Sequence, residues 1–157
     1  MSKFNQGDPS TKDYWEQRVL NAPNEKDMLF LDPRREEFWE RVRGQLSVWC
    51  GKSVLDVCCG YGQFATIFSN YEGIDFSENM IALAKKKYSQ HDFRCIDIKT
   101  HLPNRLYDVI FEVNSLRSLG WSPEDFNNRF KEYAKIIVCL EADRFTIFQS
   151  YDKRKTA

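Results

Sequence analysis

The chain of 157 residues is the size of one domain, and a 42% hydrophobic, 15% aromatic composition is that of a globular protein. Its 23 Lys and Arg residues balance its 23 Asp and Glu residues, which excludes a bulk electrostatic attraction to nucleic acid or anionic membranes. The longest apolar runs, Met80–Ala84 and Ile136–Leu140, are too short to span a membrane, and the first residues do not resemble a signal peptide. Five cysteines without disulfide-like spacing agree with a cytoplasmic location, which we therefore expect.

Two helices are predicted before the first strand. Ser10 and Asp13 have capping-box spacing, and Asp32 precedes Pro33, which suits an N-cap followed by the first helical residue. The second helix is predicted to reach about Trp49. Its apolar face consists of Phe38, Trp39, Val42 and Leu46.

Six short apolar runs follow, and most are near-continuous in residues typical of strands buried on both faces of a parallel sheet. The predicted strands are Ser53–Cys58, Tyr71–Phe76, Asp92–Ile96, Tyr107–Val113, Lys135–Leu140 and Phe145–Gln149. Helices are predicted between them at Gln63–Ser69, Ser77–Tyr88 and Pro123–Lys135, and residues 97–106 are predicted as a loop or single turn. The pattern predicts an α/β fold with a doubly wound, mostly parallel sheet of about six strands and two N-terminal helices.

The segment Val54–Ala65 runs from a buried strand through two glycines into a predicted helix. Gly60 and Gly62 allow a sharp turn and a close approach of the main chain to a ligand. Amide groups at the start of the next helix would face the same crevice, at the carboxyl ends of the strands. The segment therefore predicts a ligand-binding loop.

The glycine pattern, with Asp75 fifteen residues after Gly60, also fits a dinucleotide fingerprint. Asp56 argues against that interpretation, because its carboxylate would repel a pyrophosphate over the turn by about a few kcal/mol. The same carboxylate would attract an ammonium or sulfonium group. No Lys or Arg lies between Leu55 and Tyr71 to receive a phosphate. These residues favour S-adenosylmethionine as the ligand.

From Ser53 to about Leu140 the chain resembles the class I S-adenosylmethionine-dependent methyltransferases, as a short member. The resemblance lies in motifs that occur in order, namely Leu55–Gly62, Gly73–Ser77 with the helix from Met80 to Ala84, Cys95–Ile98 and Tyr107–Ile110. It implies a Rossmann-like fold and a single methyltransferase-like domain over residues 1–157. The implied parts are an N-terminal helical lid (1–50), a cofactor-binding core (51–150) and a flexible tail (151–157).

The resemblance also implies roles for individual residues. The residues expected around the methionine part of the cofactor are Asp56, Gly60 and Gly62, and Cys58 stands where the family usually has its first glycine. Asp75 is expected to accept hydrogen bonds from the ribose hydroxyls. Asp97 is expected to accept one from the adenine amino group, beside Ile98 and Phe76. Tyr14 and Trp15 are similar to a segment that closes over the cofactor.

We therefore predict transfer of a methyl group from S-adenosylmethionine to a small-molecule nucleophile by in-line displacement. Asn114 is the one candidate catalytic or cofactor-contacting residue at the end of the fourth strand, where it could equally cap the turn 115–120. No metal ligand set is predicted. Motifs of nucleic-acid methyltransferases are absent, so neither nucleic acid nor a membrane is the expected partner.

Two alternatives stay open. Little of the chain follows Gln149 for the usual last strands and substrate-binding insertions. This favours a second hypothesis, a cofactor-binding but catalytically silent partner or scaffold subunit. A nicotinamide-dependent reductase is the third hypothesis, and a protein partner or a homodimer is compatible with each of them.

Overall fold

A computed structural model describes residues 7–21, 33–142 and 144–150. Within these ranges one sheet contains six strands: β1 (Ser53–Val57), β2 (Asn70–Asp75), β3 (Asp92–Cys95), β4 (Tyr107–Val113), β5 (Ala134–Glu141) and β6 (Arg144–Gln149). Their spatial order is β3-β2-β1-β4-β5-β6. All neighbours are parallel except β5 and β6, which are antiparallel. The predicted six-stranded, mostly parallel sheet is confirmed.

Five α-helices occur in the described part of the chain: α1 (Lys12–Asn21), α2 (Pro33–Leu46), α3 (Glu78–Lys87), α4 (Leu116–Leu119) and α5 (Pro123–Phe130). A 3-10 turn, Ser47–Trp49, extends α2 to the predicted residue. The predicted cap of α2, Asp32, and the predicted flexible tail, 151–157, lie outside the described residues. The two N-terminal helices and the loop at 97–106 agree with the prediction.

Three local predictions were wrong. Residues 63–69 form one 3-10 turn, Ala65–Ile67, instead of a helix, because Phe68 is already extended and β2 begins at Asn70. Helix α5 ends at Phe130 because Ala134 pairs with Tyr107 and starts β5. The cap of α1 is Thr11 rather than Ser10, since the Thr11 hydroxyl accepts from the Tyr14 amide at 3.4 Å.

The predicted starts of two core helices are confirmed in atomic detail. Ser77 caps α3 by accepting from the Met80 amide at 3.1 Å. Ser122 and Asp125 form a capping box at α5, with Pro123 at its first position. Each cap satisfies amide groups that have no partner within their own helix, so these two helices begin at defined residues.

The core has two layers, one on each face of the sheet. Helices α2 and α3 cover one face, where the apolar side of α2 packs with Val54 and Phe111. Helix α5 covers the other face, where Phe126 and Phe130 pack with Leu55 and Ile110. The strand order reverses between β1 and β4. In such sheets the carboxyl ends of the strands at the reversal leave a crevice, which is where ligands bind.

Candidate functional site

A cavity of about 670 Å³ opens at the carboxyl ends of β1 to β4. Its wall comes from the loop after β1, the ends of β2, β3 and β4, helix α4, and the start of α1. A volume of this size lies within the range of roughly 300–1,000 Å³ that small-molecule and cofactor sites occupy. The cavity is therefore the candidate site.

Most of the residues singled out in the sequence meet at this cavity. Those that line it are Trp15, Cys58, Gly60, Asp75, Phe76, Asp97, Ile98 and Asn114. They come from four strand ends and one helix that are distant in the sequence. The cavity brings the glycine loop and both strand-end acids together, whereas Tyr14, Asp56 and Gly62 do not line it.

Asp75, at the end of β2, is held in place by the main chain. Its Oδ2 accepts from the Gly60 amide at 2.9 Å, and its Oδ1 accepts from the Ser77 amide at 2.9 Å. Burial raises the pKa of Asp75 to about 6, although the bonds from Ser77 and Gly60 oppose the shift. The carboxylate thus joins the β1 loop to the start of α3 and lies in the cavity wall.

The loop after β1 turns through left-handed backbone conformations. Cys58 has φ 60° and Gly60 has φ 57°. A side chain in this region costs roughly 1–2 kcal/mol, so the cysteine occupies a position that favours glycine. A Cβ at Gly60 would meet only Met80 Sδ, at 4.0 Å. Gly60 therefore serves the turn and the open face of the cavity rather than internal packing.

Two further polar groups lie at the ends of neighbouring strands. Asn114 follows β4 with φ 57°, and its main-chain N–H donates to the Leu140 carbonyl at 2.9 Å. Asp97 follows β3, is exposed, and accepts from the Lys99 amide at 2.9 Å. Both side chains line the cavity.

Asp56 is not among the residues that line the cavity. Its side chain is buried between strands, and it accepts from the Tyr71 hydroxyl at 2.7 Å. Burial raises the pKa of Asp56 to about 8, against the effect of the Tyr71 bond and with a further increase from the Asp75 charge. The alternation of side chains along β1 directs Asp56 to the same face as Val54 and Tyr71. A carboxyl group at this depth is an internal hydrogen-bond acceptor.

Gly62 and Tyr14 are also absent from the residues that line the cavity. A Cβ at Gly62 would lie 2.5 Å from Phe93 Cε1, so packing and a φ of 79° require glycine there. The Tyr14 ring packs edge-on against Trp15 at 5.0 Å between centroids, and its hydroxyl accepts from Arg18 at 3.5 Å. Trp15 is therefore the member of the Tyr14–Trp15 pair that reaches the cavity.

Helix α1 is attached over one side of the cavity by a carboxylate. The two oxygens of Glu16 accept from the amides of Glu78 and Asn79 at 2.6 and 3.1 Å. Lys12 also pairs with Glu78 at 3.1 Å. A carboxylate at a helix N-terminus satisfies unpaired amides and complements the helix dipole. This contact fixes α1 on α3, so Trp15 becomes part of the wall.

Several wall residues were not predicted as site residues. Trp39 on α2, Gln63 after the glycine loop, and Ser115 and Ser118 near α4 all line the cavity. Trp39 appears in the sequence as one apolar residue of an amphipathic helix, so its pattern gave no site signal. Gln63 directly follows Gly62, the second glycine of the loop. A polar residue next to a predicted ligand-binding loop is the feature of the sequence that could have identified it as a site residue.

The described helices contain none that is long and apolar enough to cross a membrane. This finding agrees with the short apolar runs in the sequence.

Comparison with known proteins identifies relatives. The chain is 29% identical over 134 residues to a demethylmenaquinone methyltransferase of Halalkalibacterium halodurans, covering 73% of this chain and 53% of that protein. It is 30% identical over 163 residues to a demethylmenaquinone methyltransferase of Oceanobacillus iheyensis, covering 90% of this chain and 67% of that protein. The chain spans about half the length of the first curated relatives that it matches.

A solved structure has the same fold. Magnesium protoporphyrin IX methyltransferase of Synechocystis PCC 6803, with bound S-adenosylmethionine, superposes with a TM-score of 0.62 at 17% identity, covering 96% of this chain and 85% of that one. A methyltransferase domain family model matches residues 54–138, from β1 into β5. That match covers more than half of the chain and includes the glycine loop, Asp75, Asp97 and Asn114. The protein therefore belongs to the methyltransferase domain family.

Proposed function

We propose that this cavity binds S-adenosylmethionine and that the protein transfers its methyl group to a small-molecule nucleophile. The observation that carries the proposal is the meeting of the Gly60 turn, Asp75 and Asp97 in one cavity at the strand reversal. The family match and the S-adenosylmethionine bound to the Synechocystis protein support the choice of cofactor.

The chemistry of the wall suits a nucleoside. Phe76 and Ile98 supply apolar surface for the two faces of an adenine ring. Asp97 is an acceptor for the exocyclic amino group, and Asp75 is an acceptor for the ribose hydroxyls. Adjacent strands lie roughly 4.8 Å apart, so the ends of β3 and β1 are separated by roughly 10 Å. A nucleoside extending from Asp97 to Gly60 would cover that distance.

The proposed mechanism depends on positioning. When bound, S-adenosylmethionine supplies a methyl group on a positively charged sulfur that is open to in-line displacement. The protein's own task is to hold the acceptor in line and to exclude water, and such alignment is worth effective molarities of about 10⁵ M or more. Asn114, held at the end of β4, is proposed to orient the acceptor, and Trp15 on α1 covers the cavity.

The acceptor class is proposed to be a small molecule. The cavity wall is partly apolar on this side, since Leu119 of α4 and Val113 at the end of β4 line it together with Ser118 of α4. Two of the relatives are named as demethylmenaquinone methyltransferases. A reduced naphthoquinone is therefore the first acceptor to test, followed by phenols and primary amines.

Calorimetry with S-adenosylmethionine and S-adenosylhomocysteine tests cofactor binding, and NADH serves as the competing ligand. We expect binding of both sulfur nucleosides and no displacement by NADH. Absence of heat at millimolar ligand would reject the proposal. Methyl transfer to the acceptor panel, followed by mass spectrometry, then tests activity. Binding without any product across the panel would support the silent partner instead.

A further inference from the structure

An arginine outside the cavity wall holds the turn that follows β3. Arg129 lies on α5 and does not line the cavity. Its Nη2 donates, at 2.9, 3.4 and 3.2 Å, to the main-chain carbonyl oxygens of Ile98, Lys99 and His101. Hydrogen bonds from a charged donor are stronger than those between neutral groups. One side chain therefore binds three carbonyls within four consecutive residues.

Residues 97–101 form a turn whose own amides bond within it. The amides of Thr100 and His101 donate to the Asp97 carbonyl at 3.2 and 3.0 Å. Among the described residues, no main-chain N–H donates to the three carbonyls that Arg129 binds. Main-chain carbonyls need a hydrogen-bond partner from the chain, a side chain or water. The bonds from Arg129 thus join this turn to helix α5.

Arg129 is itself held in place by its helix. Two neighbours in α5, Phe126 and Phe130, are fully buried in the core layer that also contains Ile98. The Arg129 Nε atom is buried and has no hydrogen-bond partner among the described residues. The ion pairs found in this part of the chain do not include Arg129. Its charge therefore acts on the carbonyls of the turn rather than on a carboxylate.

The turn carries two residues of the proposed base site, since Asp97 and Ile98 line the cavity. The Asp97 carboxylate accepts from the Lys99 amide at 2.9 Å, so it moves with the turn. We infer that Arg129 is a positioning residue for base recognition: it holds the turn where Asp97 meets the amino group of the base. This inference rests on the proposed function.

The inference predicts which ligands depend on Arg129. A carboxylate only accepts, so Asp97 favours adenine, whose exocyclic nitrogen donates, over hypoxanthine, whose oxygen at that place accepts. Such selection requires the acceptor to be held to within about 0.5 Å of its working position. Without the bonds from Arg129, the preference for adenine should fall more than the binding of the rest of the ligand.

Two ligands that differ at the base test the inference by calorimetry. S-adenosylhomocysteine carries the amino group, and S-inosylhomocysteine carries an oxygen in its place. The wild type should prefer S-adenosylhomocysteine by about tenfold or more, the effect of a hydrogen bond to a charged group. In Arg129→Met, which lacks the charge and every donor, the preference should fall below threefold, with affinity for S-inosylhomocysteine reduced by no more than twofold. Arg129→Lys keeps a charged donor and should retain a preference above threefold.

A double variant tests whether Arg129 acts through Asp97. Asp97→Ala should abolish the preference, and adding Arg129→Met to it should change the ratio of the two affinities by less than twofold. Hydrogen exchange without ligand gives a second readout. The Thr100 and His101 amides should exchange about fivefold faster or more in Arg129→Met, because the turn is released from α5.

The matched control is Lys131→Met, directly after α5. Lys131 is exposed and donates to Asn128 of α5 at 3.2 Å. This variant should keep the wild-type preference and the wild-type exchange rates.

Three results would overturn the inference. They are equal weakening of both ligands in Arg129→Met, unchanged exchange at Thr100 and His101, and a loss of preference from Arg129→Met that persists in the Asp97→Ala background. Equal binding of the two ligands by the wild type would also overturn it, while leaving binding of a sulfur nucleoside intact. A wild type that binds neither ligand would reject the proposed function, and the inference with it.

Discussion

The Tyr71 hydroxyl donates a 2.7 Å hydrogen bond to the carboxyl group of Asp56, fifteen residues away in the sequence and on the neighbouring strand. This bond makes Asp56 part of the core between β1 and β2. It also gives a buried carboxyl group in the glycine motif a hydrogen-bond partner in a place where no cationic partner occurs among the described residues. A raised pKa of about 8 keeps the group largely protonated at neutral pH.

Asp56→Asn should therefore alter stability more than ligand affinity. The pKa of Asp56 is higher in the folded state than its ordinary value of 3.8, so its stabilising contribution is full below about pH 4 and decreases as pH rises toward 8. Asparagine does not ionise, so the variant lacks this loss of stability at higher pH. Relative to the wild type, the free energy of unfolding of Asp56→Asn should rise by up to about 4 kcal/mol between pH 5 and 8.

Urea denaturation at several pH values measures this difference. Calorimetry on the same variant should give an affinity for S-adenosylhomocysteine within twofold of the wild type. A loss of tenfold or more would mean that Asp56 does contact the ligand.

Asp75→Asn should weaken ligand binding and stability together. The Gly60 and Ser77 amides donate to different carboxylate oxygens, and asparagine replaces one of these oxygens by an NH₂ group that cannot accept. One main-chain N–H is therefore left unpaired at a cost of about 1–3 kcal/mol. We expect S-adenosylhomocysteine affinity to fall by about 10- to 100-fold. Asp92→Asn, at an exposed position on β3, is the control and should leave both quantities unchanged.

The same carboxylate predicts a pH dependence of binding. Because burial raises the pKa of Asp75 to about 6, the group gains a proton as pH falls through that value. A protonated carboxyl group has lost acceptor capacity for ribose hydroxyls. Affinity for S-adenosylhomocysteine should decline between pH 7 and pH 5 in the wild type, and a flat profile would contradict the assignment.

Glycine substitutions should separate packing from backbone freedom. Gly62→Ala places a Cβ against Phe93 at a φ of 79°, so we expect a loss of about 2–4 kcal/mol. Gly44→Ala lies in α2, where a Cβ meets nothing within 4 Å, and should stabilise the protein by about 1 kcal/mol. Thermal unfolding of both variants gives the comparison, and similar effects in the two would reject the packing role of Gly62.

Glu16→Ala should detach α1 from α3. The variant removes both acceptors for the Glu78 and Asn79 amides, so these amides should exchange hydrogen faster. Because Trp15 lies on the same helix, ligand affinity should decrease by about 3- to 30-fold, the range of one charged cap. Gln17→Ala, at an exposed position of α1, is the control. Unchanged exchange at Glu78 and Asn79 would show that Glu16 does not anchor the helix.

Glu72 should contribute to stability away from the cavity. Burial raises the pKa of Glu72, but hydrogen bonds from Tyr107, Arg94 and Arg105 outweigh that effect and hold the pKa below its ordinary value. Its stabilising contribution is therefore present above about pH 4.5 and lost as pH falls. Glu72→Gln should cost about 1–3 kcal/mol at pH 7 and less at pH 3.

The matched control for this site is Glu132→Gln, an exposed glutamate in the turn before β5. Its free energy of unfolding should stay within about 0.5 kcal/mol of the wild type. An equal cost in the two variants would exclude a specific role for the Glu72 ion pairs.

Much of the fold follows from local sequence pattern. β4 occurs at the predicted residues because Tyr107–Val113 is rich in residues that favour buried strands and contains only two charged residues, Asp108 and Glu112. Ser77 and Ser122 mark helix starts because a short hydroxyl side chain can satisfy nearby free amides. Such signals act within a few residues, so the sequence alone contains them.

For the candidate site, too, the sequence predicted some features and the tertiary structure was needed for others. The sequence by itself determined that Gly60, Asp75 and Asp97 lie at or just after the carboxyl ends of parallel strands, and such strand ends share one edge of the sheet. Only the tertiary structure decided that Asp56 pairs with Tyr71, that Gly62 packs on Phe93, and that Trp39 and Gln63 reach the cavity. Each of these outcomes depends on which side chains meet across elements distant in the sequence, where packing and burial, rather than local pattern, set the contacts.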